Sequence, residues 1–149
     1  MKAYQQILLA TDFSKFSEIA ARRAVDLVGH FNAMLTLLHV VEYFPEDKRI
    51  QQGSVKLEDL AQHLEGECRK RLEQLARRIQ YHAAVLIVRV TPGAAKYEIV
   101  QVAREIRANL IVIGPYGQGG ASALLGSTAE GVLLEAPCEV LIVRGVMAD

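Results

Sequence analysis

"NLIVIGPYGQGGASALLGS", Asn109 to Ser127, decides how the rest of this chain is read. An aliphatic run ends in a glycine, and five of the fourteen residues from Gly114 to Ser127 are glycine. Two readings are open from these residues alone. Glycine allows left-handed backbone and close approach of a ligand, and successive amides in such turns form anion-binding concavities. A helix beginning at Ser127 would add free N–H groups and a partial positive charge. A polyphosphate could then be cradled without any lysine. Equally, Ser127 and Glu130 fit the S-x-x-E capping box that closes a helix start by itself, and Gly117, Gly119 and Gly120 would then only form a connector. No G-x-x-x-x-G-K-[ST] is present, and no G-x-G-x-x-G follows the first strand, so neither a P-loop nor a standard dinucleotide fingerprint applies.

Outward from this stretch, two patterns alternate. Tyr4–Ala10, Met34–Val40, Ala84–Val90, Asn109–Gly114 and Cys138–Arg144 are short and mostly continuous in aliphatic residues. This is how strands buried on both faces of a parallel sheet read. Between them, apolar residues recur at three- and four-residue steps: Ala20, Ala24, Leu27, Val28 and Phe31; Leu57 through Ile79; and Ile99, Val102, Ala103 and Ile106. Each set is one stripe of an amphipathic helix. A β-α alternation with no composition break predicts one domain over residues 1–149. The expected fold is α/β: an open, doubly wound, five-stranded parallel sheet with helices on both faces and right-handed crossovers. Sequence alone does not give the strand order. The expectation is 3-2-1-4-5, with the first strand central, so that the order reverses between strands one and four. Ligands in such sheets bind at that reversal, outside the C-terminal strand ends. The loop Ala10–Ser14 would there face Gly114–Ser127. Val41–Val55, polar and turn-rich, reads as a long mobile surface loop.

The chain has 149 residues, is half apolar, and balances 17 basic against 17 acidic residues. Zero net charge argues against a nucleic-acid partner. No apolar run approaches the ~20 residues of a membrane span, and the N-terminal segment is too short and too soon interrupted for a signal peptide. A cytoplasmic location is expected, with Cys68 and Cys138 reduced. Neither cysteine has a partner at zinc-site spacing, and the four histidines are scattered.

At this point the segments resemble the universal stress protein family along the whole chain. "ILLATDFSKFSEIAARRAVDLV" is similar to its first strand, Asp-containing loop and first helix, and "LTLLHVVE" to its second strand. "ANLIVIGPYGQGGASALLGSTAEGVLLEAPCEVLIVR" resembles its C-terminal segment, in which the nucleotide-binding branch carries G-x-x-G, nine residues, then G-[ST]. Here Gly114–Gly117 and Gly126–Ser127 supply both ends, but the spacer Gln118–Leu125 has eight residues. The loop has neither Lys nor Arg, and Pro115 removes one N–H.

The resemblance implies a stress-response module that binds ATP or another adenine nucleotide, with Mg²⁺ as a possible companion. Asp12, with Ala10 beside it, would contact the nucleoside. Val40 would line the adenine pocket, and Ile113 and Gly114 would border the ribose. Gly117, Gly126, Ser127 and Thr128 would hold phosphates through amides and hydroxyls. It also implies a homodimer paired through the last strand, Cys138 to Arg144, whose bare aliphatic edge invites such pairing. The residues keep structural alternatives: Asp12 as a helix cap or loop-ordering group, and Val40 and Ile113 as core. Nothing stands out as catalytic. His39 reads as a hydrogen-bonded packing residue, Cys68 as core, and Glu67–Arg78 as a solvated helix face. The expectation is therefore a binding module and not an enzyme. The alternatives are a family member that binds no nucleotide and acts through protein partners, and a slow ATP hydrolase.

Overall fold

The computed structural model describes residues 3–43, 53, 56–117 and 125–145. The expected loop beyond Tyr43, most of the Gln118–Leu125 spacer and the last four residues lie largely or wholly outside that set. Among the described residues five strands alternate with four helices. The strands are β1 (Gln6–Ala10), β2 (Met34–Glu42), β3 (Val85–Thr91), β4 (Leu110–Ile113) and β5 (Glu139–Ile142). The helices are α1 (Lys15–Phe31), α2 (Leu57–Arg78), α3 (Ala95–Glu105) and α4 (Ser127–Glu135). All the strand pairs are parallel, and the order is β3-β2-β1-β4-β5. The order reverses where β1 pairs with β4, as expected.

The aliphatic runs are continuous because the central strands are covered twice. Ile7, Leu9, Leu35 and Leu37 join Ala20, Ala24, Leu72 and Leu75 in a core under α1 and α2. Leu8, Ala10, Leu38, Ile111 and Ile113 point the other way, into a core with Ile99, Val102 and Val132 of α3 and α4. Successive strand residues thus serve opposite faces, as the two-residue pleat requires. The two edge strands differ from the expectation of burial on both faces. β3 and β5 are mostly half-buried, because each has a neighbouring strand on one side only.

Local chemistry sets the helix ends. Ser14 caps α1, its side chain accepting from the Ser17 amide at 3.2 Å. Asn32 closes the helix in the left-handed conformation, which asparagine tolerates. Arg77 and Arg78 stand in the last turn of α2, where cations complement the helix dipole. Helix α3 has no cap of its own, since Ala94 occupies the capping position. Instead the Glu42 carboxylate, reaching across from β2, accepts the Ala95 N–H at 2.7 Å. β2 therefore runs two residues beyond the expected Val40, with Val41 and Glu42 pairing with Val90 and Thr91. No helix among the described residues is long and apolar enough to cross a membrane.

Candidate functional site

At the C-terminal edge of the sheet the chain leaves β1 and turns sharply. Thr11 still pairs with β2, its amide donating to the Leu38 carbonyl at 2.9 Å. Its hydroxyl bonds Ser17 Oγ at 2.8 Å and accepts the Phe13 amide at 3.0 Å. Asp12 Oδ1 accepts the Ser14 amide at 2.9 Å. Between these two side-chain turns Phe13 sits at φ +66°. Its ring is directed to the α1–α2 side, 4.4 Å from the His39 ring, with the Arg71 guanidinium 4.1 Å above it. Of the two structural roles expected for Asp12, it therefore orders the loop, while Ser14 caps the helix.

The exit from β4 is built for close approach. A Cβ on Gly114 would lie 3.2 Å from the Phe16 carbonyl carbon and oxygen. A Cβ on Gly117 would meet Asp12 Oδ2 at 3.3 Å, so this carboxylate lies alongside the glycine. Tyr116 packs edge-on against Phe16 with ring centroids 5.1 Å apart. The Gly126 amide donates to the Pro115 carbonyl at 2.8 Å, which ties the two ends of the glycine loop together. One expectation is corrected here. Gly126, not Ser127, is the capping residue of α4, and no side chain caps this helix, so the Ser127–Glu130 capping box does not form. The hydrogen bond to Pro115 sets the loop so that the helical conformation begins one residue after Gly126. The Gly126 amide is thus engaged within the loop, whereas the first-turn amides at Ser127, Thr128 and Ala129 are ones an α-helix leaves without intrahelical partners.

All nine residues singled out from sequence line one cavity of about 370 Å³. Ala10 and Asp12 come from the β1 exit, Val40 from β2, and Ile113, Gly114 and Gly117 from the β4 exit. Gly126, Ser127 and Thr128 come from the start of α4. The cavity has the size of a small-ligand site. Further lining residues were missed: Leu38 and Glu42 on β2, Ala95 and Ile99 on α3, and Thr11, Ser17, Pro115, Tyr116 and Ala129. Leu38 and Glu42 could have been found from Val40, because residues two apart on a strand share a face. Ala95 and Ile99 are four apart, on one face of α3.

Among the described residues the lining carries two carboxylates, Asp12 and Glu42, and neither lysine, arginine nor histidine. Among the described residues no cluster of His, Cys, Asp and Glu could hold a metal ion. His39 lies on the opposite face of β2. Its Nδ1 is 2.7 Å from the Thr11 carbonyl, and that contact requires the ring N–H to donate. Burial holds its imidazole below the ordinary pKa of 6.5, with the Thr11 carbonyl opposing, Arg71 adding to the depression and Asp12 opposing. Burial likewise pushes the thiols of Cys68 and Cys138 up, so both favour the protonated, less reactive form.

A doubly wound parallel sheet with a glycine-bordered cleft at its strand-order reversal defines an open α/β class, in which such a cleft is where ligands bind when they do. Comparison with known proteins narrows this. The model of the universal stress protein family matches residues 3–144. Universal stress protein A homolog 1 of Coxiella burnetii is 31% identical over 140 residues, covering 94% of this chain and 96% of the relative. The structure of universal stress protein UspA from Lactobacillus plantarum superposes with a TM-score of 0.71 at 28% identity, covering 97% of this chain and 100% of that one. A universal stress protein solved in complex with cAMP gives a TM-score of 0.69 at 25% identity, covering 96% and 99% of the two chains. The chain belongs to the universal stress protein family.

Proposed function

We propose that the protein binds an adenine nucleotide in the cleft between the β1 and β4 exits and works as a cytoplasmic stress-response module that responds to the bound ligand. The observation that carries this reading is that the nine residues, separated widely in sequence, converge on one cavity. A relative of the same fold holds cAMP. Apolar walls at Leu38, Val40 and Ile99 suit a base, and the small and hydroxyl-bearing residues at Gly114, Gly117, Ser127 and Thr128 suit ribose and phosphate. Without a cation among the described lining residues, phosphate charge is met there by amides and by the α4 dipole. Mg²⁺ would therefore enter bound to a polyphosphate, and ATP would bind more tightly with Mg²⁺ than without it. No activated nucleophile faces the cleft among the described residues, which favours a binding module over a dedicated enzyme.

Thermal shift with ATP, ADP and AMP, with and without Mg²⁺, tests the reading. Ligand at 100 times its Kd should stabilise the fold by about 2.7 kcal/mol, and Gly117→Val should remove the shift. The absence of a shift with every nucleotide would sink it. We also propose that two copies pair through β5, which forms one edge of the sheet, since an uncovered aliphatic edge favours strand addition. Light scattering at micromolar concentration should give twice the chain mass, and a monomer would refute the pairing.

A further inference from the structure

Glu42 is the one charged residue at the apolar end of the cleft among the described residues. It shares the inward face of β2 with Leu38 and Val40, and lines the cavity together with Ala95 and Ile99 of α3. Its carboxylate is held in place: Oε1 accepts the Ala95 N–H at 2.7 Å and so caps a helix that lacks a capping side chain of its own. In the sheet β1 lies between β2, which carries Leu38, Val40 and Glu42, and β4, whose exit carries Gly114 and Gly117. A base seated against Leu38, Val40 and Ile99, with the phosphate at α4, would have Glu42 as a neighbour on the same strand face.

We propose that Glu42 determines which base the cleft accepts, taking a hydrogen bond from an exocyclic amine and rejecting a carbonyl at the same position. An ionised carboxylate is an acceptor only, with about four lone-pair sites on its two oxygens. One bond to Ala95 leaves capacity for a second donor. An amine supplies that donor, whereas a carbonyl oxygen would set two acceptors against each other with no proton between them. The inference rests on the nucleotide reading above, and it selects adenine over hypoxanthine.

AMP and IMP present an amine and a carbonyl at that position, so calorimetric titration of both into the full chain tests the inference. Wild-type protein should bind AMP more tightly than IMP. Glu42→Gln keeps an oxygen for Ala95 and adds an N–H₂ donor for the carbonyl. The AMP-to-IMP preference should then fall on the order of tenfold, the scale of one hydrogen bond to a charged group. Glu42→Ala, which removes both functions, should also erode the preference. An unchanged AMP-to-IMP ratio in Glu42→Gln, with AMP still bound, would overturn the role of Glu42 and leave the cleft reading intact. Wild-type protein that bound neither nucleotide would overturn both.

Discussion

The two faces of the sheet end differently at its C-terminal edge. On the α1–α2 side the space beyond the strands is filled: Phe13 stacks against His39 under the Arg71 guanidinium, and His39 holds the Thr11 carbonyl. On the α3–α4 side the same strand ends, through Ala10, Leu38, Val40 and Ile113, border a cavity. One residue separates the two outcomes. Phe13, in left-handed backbone, carries its ring to the filled side, while Asp12 remains at the cleft. The filled side thus acts as the backing on which the cleft wall is held. This is a division of labour between neighbouring residues of one loop.

Substitutions at the junction, on the filled side and in the cleft should separate in that order. Gly114→Val should have the largest effect on stability. Its Cβ would crowd the backbone of Phe16 and Ser17, which cannot swing away as a side chain can, and overpacking of this kind costs about 1–3 kcal/mol. Urea denaturation measures it, and an unchanged midpoint would contradict the close approach of β4 to α1.

His39→Ala comes next. It removes the bond to the Thr11 carbonyl and the ring against Phe13, and should cost about 1–2 kcal/mol at pH 7. It should also change the pH dependence. The folded pKa of His39 lies below its ordinary 6.5, so between the two values the unfolded chain binds the extra proton. Stability from this group is therefore complete above pH ~6.5 and is lost as pH falls through the folded pKa. Denaturation midpoints from pH 7.5 to 5 should fall less steeply in the variant. Equal slopes would show that His39 titrates as it does in water.

Gly117→Val should have the smallest effect on the fold. Its nearest neighbour is the end of the Asp12 side chain, so stability should stay within about 0.5 kcal/mol of wild type even as the nucleotide shift disappears. A large loss of stability would mean that the cleft wall and its backing are not separable.

Much of the fold was legible because aliphatic runs and helical stripes report burial directly. Ile7 to Ala10 and Leu110 to Ile113 are covered on both faces, and they read as such. The end of β2 was legible from the family resemblance, whose second strand reaches Glu42, but not from the aliphatic pattern, which stops at Val40. Glu42 borders a cavity and caps α3, so its polarity imitates a loop. The start of α4 misled for a related reason. The Ser127–Glu130 spacing is a genuine capping pattern, but it is overridden by a hydrogen bond between Gly126 and Pro115, residues that lie eleven apart in the chain.

By itself, the sequence determined the alternation of strands and helices and the family resemblance, because each depends on local periodicity or on short motifs, and the resemblance in turn implied the nine residues that line the cleft. Only the tertiary structure decided how those residues are used. It engaged the Gly126 amide, placed His39 behind the cleft rather than in it, and brought Glu42 across to α3. Hydrogen bonds between distant segments are set by how strands and helices pack, and no window of neighbouring residues contains that information.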